Sequence, residues 1–244
     1  MNRWLMLHGF AGGSETWDEV RRLAGLGAAL APRLAGHELD GEPPALGNSF
    51  DAEVQRLAGL CEAPVSVCGY SLGGRLALGL ASSHPELVER LVLIGANPGL
   101  RSTEAREERG QADERWARTL EEEGTDEFYK RWLEQPLFAS QRRFEAGRLA
   151  TQDALRTRLT ARGLSRAMRQ MSLAAMPSFW EQLEALDFRV DLVVGGEDAK
   201  FGQLARAMAE HLPQAFLHVV DGVGHNVVLE APEAVAGILT GDVR

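Results

Sequence analysis

Gly69-Tyr70-Ser71-Leu72-Gly73 stands directly behind the apolar run Val65-Ser66-Val67-Cys68. A serine at the centre of G-x-S-x-G, where a strand ends and a helix begins, is suited to act as a nucleophile or a base. Glycines flank it because a side chain on so tight a turn would meet the neighbouring strand or helix, and the turn lifts the serine oxygen out of the sheet. The helix that follows brings its positive N-terminal end beneath that oxygen. Alone, the pentapeptide also fits a Gly-rich surface turn, so the chemistry depends on partners elsewhere in the chain.

Those partners occur. The run Val190-Asp191-Leu192-Val193-Val194 ends in Gly195-Gly196-Glu197-Asp198, which puts Asp198 past a strand's carboxyl end, where an acid can orient a histidine. Phe216-Leu217-His218-Val219-Val220 leads into Asp221-Gly222-Val223-Gly224-His225, and His225 sits on a glycine loop free to reach the serine. Asp191 lies within its strand and Asp221 is too close to His225 in sequence, so Asp198 is the expected acid. Trp4-Leu5-Met6-Leu7 runs into His8-Gly9-Phe10-Ala11-Gly12-Gly13, whose amides can turn inward, so the Phe10 N–H is the expected second oxyanion donor beside the amide that follows the serine, Leu72. His8 is expected to hold that loop by hydrogen bonds. His218 reads as a packed or edge-strand residue, His84 as a helix-end residue, and His37 and His211 as surface residues. Ser…Asp…His is the order of an α/β-hydrolase fold.

The elements that must position these groups alternate. Strands are expected near 3–7, 28–34, 64–69, 90–95, 190–195 and 215–220, with helices near 17–25, 50–60, 73–83, 202–211 and 232–240. Such alternation predicts a mostly parallel sheet, here of about six strands, covered by helices on both faces. Between Leu100 and Leu186 the strand signals vanish and a helical period takes over, punctuated at Gly124, Pro136 and Pro177. The expected organisation is an α/β core from residues 1–99 and 187–244 with a helical lid over 100–186.

Composition narrows the function classes. The chain has 244 residues, enough to bury a sizeable core, and a formal net charge of −9, which argues against non-specific nucleic-acid binding. No apolar stretch is long enough to span a membrane, and a strand entered by residue 3 leaves no room for a signal peptide. Cys61 and Cys68 are the two cysteines, Cys68 inside the nucleophile strand as a buried free thiol. A cytoplasmic location follows as the expectation. No Cys/His cluster has metal-ligand spacing and no phosphate-binding G-x-x-x-x-G-K-[ST] occurs, so neither metal nor cofactor is expected.

One charge anomaly bears on the substrate. Residues 131–169 hold nine arginines against Glu134, Glu145 and Asp153, close to +6 within a chain of net −9. With only two lysines in the chain, Lys130 and Lys200, arginine is the default base, and most of these side chains read as a solvated face. A cationic lid over a serine site also suits a carboxylate-bearing small molecule. Arg75, one helical turn past Ser71, should face the elbow rather than bulk water.

Gly69-Tyr70-Ser71-Leu72-Gly73-Gly74-Arg75, Trp132-Leu133-Glu134-Gln135-Pro136-Leu137-Phe138 and Gly196-Glu197-Asp198-Ala199-Lys200-Phe201 together resemble the MenH family. Gly224-His225-Asn226 followed by Leu229-Glu230-Ala231-Pro232 extends the likeness over nearly the whole chain. The resemblance implies an α/β-hydrolase fold and the 2-succinyl-6-hydroxy-2,4-cyclohexadiene-1-carboxylate synthase reaction of menaquinone biosynthesis, in which pyruvate is eliminated from an enolpyruvyl cyclohexene. It implies Ser71, activated by His225 and Asp198, as base, the Phe10 and Leu72 amides as oxyanion hole, and Arg75 as a carboxylate ligand. Arg109 and either Arg156 or Arg158 match two further substrate arginines, and Tyr70 and Trp132 match pocket aromatics. Leu133 departs from members that carry a second aromatic there. A carboxylesterase working through an acyl-enzyme is the main alternative, and a catalytically silent binding protein a third.

Overall fold

A five-stranded, all-parallel sheet organises the computed structural model, which describes residues 3–42, 48–144 and 146–241. Strands β1 (Trp4–Leu7), β2 (Val65–Tyr70), β3 (Val88–Ile94), β4 (Arg189–Gly195) and β5 (Ala215–Val220) lie side by side in chain order. Helices α1 (Asp18–Leu23) and α2 (Phe50–Ala58) separate β1 from β2, and α3 (Leu72–Ser83) separates β2 from β3. The long excursion between β3 and β4 holds α4 (Thr103–Trp132), α5 (Ala146–Arg156) and α6 (Ala161–Gln170). Helix α7 (Ala199–Ala209) joins β4 to β5, and α8 (Val227–Glu230) and α9 (Pro232–Thr240) follow. Among the described residues no helix is long and apolar enough to cross a membrane.

Alternation along each strand sends successive side chains to opposite faces. Leu5, Leu7, Val67, Leu91, Leu93, Leu192 and Val194 pack with residues of α2, α3 and α7 on one side. Trp4, Met6, Cys68, Val92, Ile94 and Val193 pack with Trp17, Val20, Val235 and Ile238 on the other. Helix α3 is buried from Leu72 to Ala81, which fixes the segment behind the elbow rigidly in the core.

The sixth expected strand, 28–34, does not form. It reduces to one parallel bridge, Leu5 to Leu30, held by Met6 N–H to Leu30 O at 2.7 Å and Leu30 N–H to Trp4 O at 2.8 Å. Pro32, two residues on, lacks the amide that would continue the ladder.

The β3–β4 excursion is helical, with breaks at the three expected punctuation points, Pro177 lying in the non-helical stretch between α6 and the 3-10 turn Trp180–Ala185. Helix α4 bends at Gly124, whose φ of 83° lies outside the helical range. Pro136 opens a 3-10 segment, Pro136–Arg143. Helices α4, α5 and α6 share a small core around Leu120, Phe128, Leu155, Leu164 and Met168, which Ala11 and Leu39 join from the first part of the chain. The arginine excess of 131–169 is largely answered from outside that window. Arg131 pairs with Glu123 and Glu127, Arg169 with Glu114 and Glu121, Arg143 with Glu197, and Arg166 with Glu38. Most of this charge therefore staples the excursion to itself and to the core. Glu145 lies outside the described residues.

Candidate active site

Ser71 ends up on the turn that the glycines predicted. Its φ of 52° and ψ of −107° place a non-glycine residue in a rarely populated region. The turn needs its glycines: a Cβ on Gly73 would stand 2.0 Å from Leu7 O, and one on Gly69 would stand 2.3 Å from Gly73 O. Ser71 N–H donates to Ile94 O at 2.8 Å, which ties the elbow to β3.

His225 reaches this serine from the loop after β5. Its Nε2 lies 3.2 Å from Ser71 Oγ and its Nδ1 lies 2.7 Å from Asp198 Oδ2. Asp198 caps α7, its Oδ1 accepting the Phe201 N–H at 3.1 Å, so one oxygen is held by the helix and the other is left for the imidazole. With Nδ1–H donating to Asp198, Nε2 is the lone-pair nitrogen facing the serine hydroxyl. Phe201 packs on the imidazole at 4.4 Å between ring centres and Tyr70 at 5.5 Å, and His225 is almost wholly buried. The arrangement can relay the Ser71 proton to a buried, oriented base.

A cavity of about 470 Å³ opens onto Ser71, His225 and Asp198. Phe10 and Leu72 also line it. Among the described residues their backbone amides donate to no protein acceptor, so both remain available to a ligand oxygen. The loop bearing Phe10 is pinned from below by two buried histidines. His8 donates from Nδ1 to Gly9 O at 2.8 Å and accepts the Leu34 N–H at Nε2 at 3.0 Å. His37, expected on the surface, is fully buried instead. Its Nε2 accepts the Ala11 N–H at 3.0 Å and its Nδ1 faces Ala35 O at 3.2 Å. Both rings are kept neutral: burial, with the neighbouring imidazole, holds His8 well below the usual histidine range, and burial pulls His37 down to about 4.

Part of the cavity wall is cationic and aromatic. Arg75 lies buried in it, one turn along α3 from Ser71, and its Nη1 donates to Met171 O at 2.7 Å. Among the described residues Arg75 has no carboxylate partner. Burial, and then the Arg109 guanidinium, pull it down to about 9, still charged at neutral pH. Arg109 also lines the cavity, its Nε shared between the two oxygens of Asp113 at 2.9 and 2.8 Å. Trp132 stacks on Phe128 with centres 5.2 Å apart and approaches Phe10 at 5.5 Å, closing the apolar side.

Three of the expected substrate residues do not line this cavity. Arg158 is exposed, beyond the end of α5. Arg156 is buried but turned onto the Tyr129 ring, 5.5 Å from its centre, with Asp153 on its Nη1. Tyr70 points behind His225 rather than into the open space. Lining residues without a prior role include Asn97, Asp113, Gln135 and Lys200. Lys200 and Gln135 sat inside the resemblance motifs, whereas Asn97 carried no signal beyond a Pro-Gly turn.

The model of the Alpha/beta hydrolase family matches residues 4–238. The 2-succinyl-6-hydroxy-2,4-cyclohexadiene-1-carboxylate synthase of Klebsiella pneumoniae subsp. pneumoniae is 33% identical over 97% of this chain and 92% of its own. The enzyme of the same name from Salmonella heidelberg is 34% identical over 98% and 93%. The chain belongs to the MenH family of alpha/beta hydrolases. MenH from S. aureus superposes with a TM-score of 0.90 at 23% identity, over 98% of this chain and 92% of that one, a likeness of fold. This chain is thus an enzyme of the MenH type on the alpha/beta hydrolase scaffold.

Proposed function

We propose that this enzyme eliminates pyruvate from 2-succinyl-5-enolpyruvyl-6-hydroxy-3-cyclohexene-1-carboxylate in menaquinone biosynthesis, with residues 100–186 acting as a lid over the site. The observation that carries the reading is Arg75, a buried guanidinium that makes no salt bridge among the described residues, the nearby Asp113 being taken by Arg109, in the same cavity as Ser71. A buried charge is costly unless something opposite meets it. A substrate carboxylate is the species that meets it, through charge-assisted hydrogen bonds. The names of the relatives point the same way.

The chemistry then follows from the geometry. His225 Nε2 accepts the Ser71 hydroxyl proton while Asp198 steadies the imidazolium. The serine oxygen removes the proton from the ring carbon beside the succinyl carbonyl, and the electron pair moves onto the carbonyl oxygen. That oxygen sits between the Phe10 and Leu72 amides, where two fixed N–H dipoles meet the growing charge. Collapse of the enolate forms the double bond between ring carbons 2 and 3, the 3,4 double bond moves to 4,5, and the bond from ring carbon 5 to the enolpyruvyl oxygen breaks. Enolpyruvate leaves and takes up one proton at its methylene carbon, becoming pyruvate and balancing the proton removed. Arg75 and Arg109 hold carboxylates, and the Trp132 side covers the ring and keeps water out.

The same triad can serve an acyl-enzyme, and the two readings part in one experiment. Wild type and Ser71→Ala are assayed with the enolpyruvyl cyclohexene substrate, following diene absorbance and pyruvate, beside a p-nitrophenyl ester. Ser71-dependent pyruvate release with feeble ester cleavage is expected. Brisk ester hydrolysis without pyruvate would favour the carboxylesterase reading and discard the elimination.

A further inference from the structure

A carboxylate outside the triad ties the helical excursion to the loop that carries the base. Glu230, the last residue of α8, is buried, and its two oxygens have different partners. Oε1 accepts the Ser140 hydroxyl at 2.8 Å and Oε2 accepts the Gly224 N–H at 2.8 Å. Gly224 immediately precedes His225, while Ser140 belongs to the 3-10 segment of the excursion, about ninety residues away along the chain. The fit is close: a Cβ on Gly224 would stand 2.2 Å from Ser140 Oγ. Only glycine lets the base loop and the excursion meet there.

A second link runs in parallel. Arg143, at the end of the same segment, donates from Nη1 and Nη2 to the two oxygens of Glu197 at 2.8 Å each and from Nη2 to Gly222 O at 3.2 Å. Glu197 adjoins Asp198, and Gly222 begins the glycine loop before His225. The other end of the segment, Pro136 and Leu137, lines the cavity beside Trp132. One eight-residue stretch therefore touches the ligand space at its start and both triad loops at its end.

We propose that Glu230 is a positioning residue for His225, holding the base through the Gly224 amide while the Ser140 hydroxyl fixes the carboxylate itself. This rests on reading Ser71, His225 and Asp198 as the reacting triad, and not on the identity of the substrate. The physical basis is that a buried carboxylate needs donors on both oxygens. If the Ser140 hydroxyl withdraws, Glu230 must seek another partner and takes Gly224 with it. A displacement of about 1 Å at a base can cost about 100-fold in rate.

The test reads the triad without the natural substrate. A fluorophosphonate labels Ser71, and its second-order rate is measured per folded molecule, with Tm recorded alongside. Ser140→Ala should slow labelling about tenfold, and Glu230→Met by at least as much. Glu230→Gln can accept from Gly224 and donate to a rotated Ser140 hydroxyl, so it should label within about threefold of wild type. Ser140→Ala combined with Glu230→Met should be no slower than Glu230→Met alone, because the two act through one link. Wild-type labelling by Ser140→Ala, with or without a lower Tm, overturns the proposal, and that variant alone decides if Glu230→Met does not fold. Labelling that survives Ser71→Ala would instead undo the triad reading.

Discussion

Arg75 and Ser71 both sit in conformations or environments that cost stability. Arg75 is charged, buried and, among the described residues, in no salt bridge. Arg75→Met, of similar length and apolar, should leave Tm unchanged or raise it, while kcat/KM for the carboxylate substrate falls by about 100-fold. A calorimetric scan and a turnover assay on the same preparation check both halves. Ser71 holds a positive φ that alanine would keep and glycine would relieve. Ser71→Gly should therefore be more stable than Ser71→Ala by about 1 kcal/mol, the relieved strain exceeding the added chain entropy. Both variants should be equally inert. At this scale the chain was largely legible, since glycines, strand ends and the Ser…Asp…His order pointed at the triad directly. His37 was not legible, because its burial arises from the 28–38 stretch folding under the Phe10 loop and no local periodicity records that. Arg156 and Arg158 were illegible for a related reason, since only the actual register at the end of α5 separates an inward side chain from an outward one.

At the scale of elements, the Gly9–Ala11 loop rests on two neutral imidazoles. Both His8 and His37 accept a backbone N–H at Nε2, which only a neutral imidazole can do. Their folded-state values are lowered, so between about pH 6.5 and pH 4 the unfolded chain binds protons that the folded chain refuses. Stability is then fully present above the unfolded value and is lost as the pH falls through this window. Tm should drop between pH 6.5 and 5, and His37→Gln, which keeps an acceptor but does not titrate there, should flatten that slope. An unchanged slope would place the acid sensitivity elsewhere. Helices were easier to anticipate than the weak strand: α3, α7 and α9 have clear apolar faces or caps, whereas 28–34 reads as apolar but carries Pro32 and can make only the Leu30 bridge. The surplus arginines looked like a charged lid because a window of 131–169 leaves out Glu114, Glu121, Glu123 and Glu127, which α4 brings back within reach.

At the scale of the molecule the sheet has two unlike margins. The β1 side is covered in part by the Leu30 bridge, while β5 leaves Phe216 and Val219 47% and 45% exposed. An apolar margin of that kind invites edge-to-edge pairing with other chains. Val219→Lys should slow aggregation on heating with turnover unaltered, as followed by light scattering; no change would mean this margin does not govern aggregation. The strand order itself has a temporal consequence. Each strand pairs with its nearest predecessor in the chain, so on the ribosome every pairing becomes available as soon as the later strand emerges, with no strand waiting to be inserted between two others. The serine arrives early, on the second strand, but the acid comes only after the fourth and the base only after the fifth. A nascent chain can thus bury most of its core while remaining chemically silent, and reactivity waits for the loop after β5 to emerge.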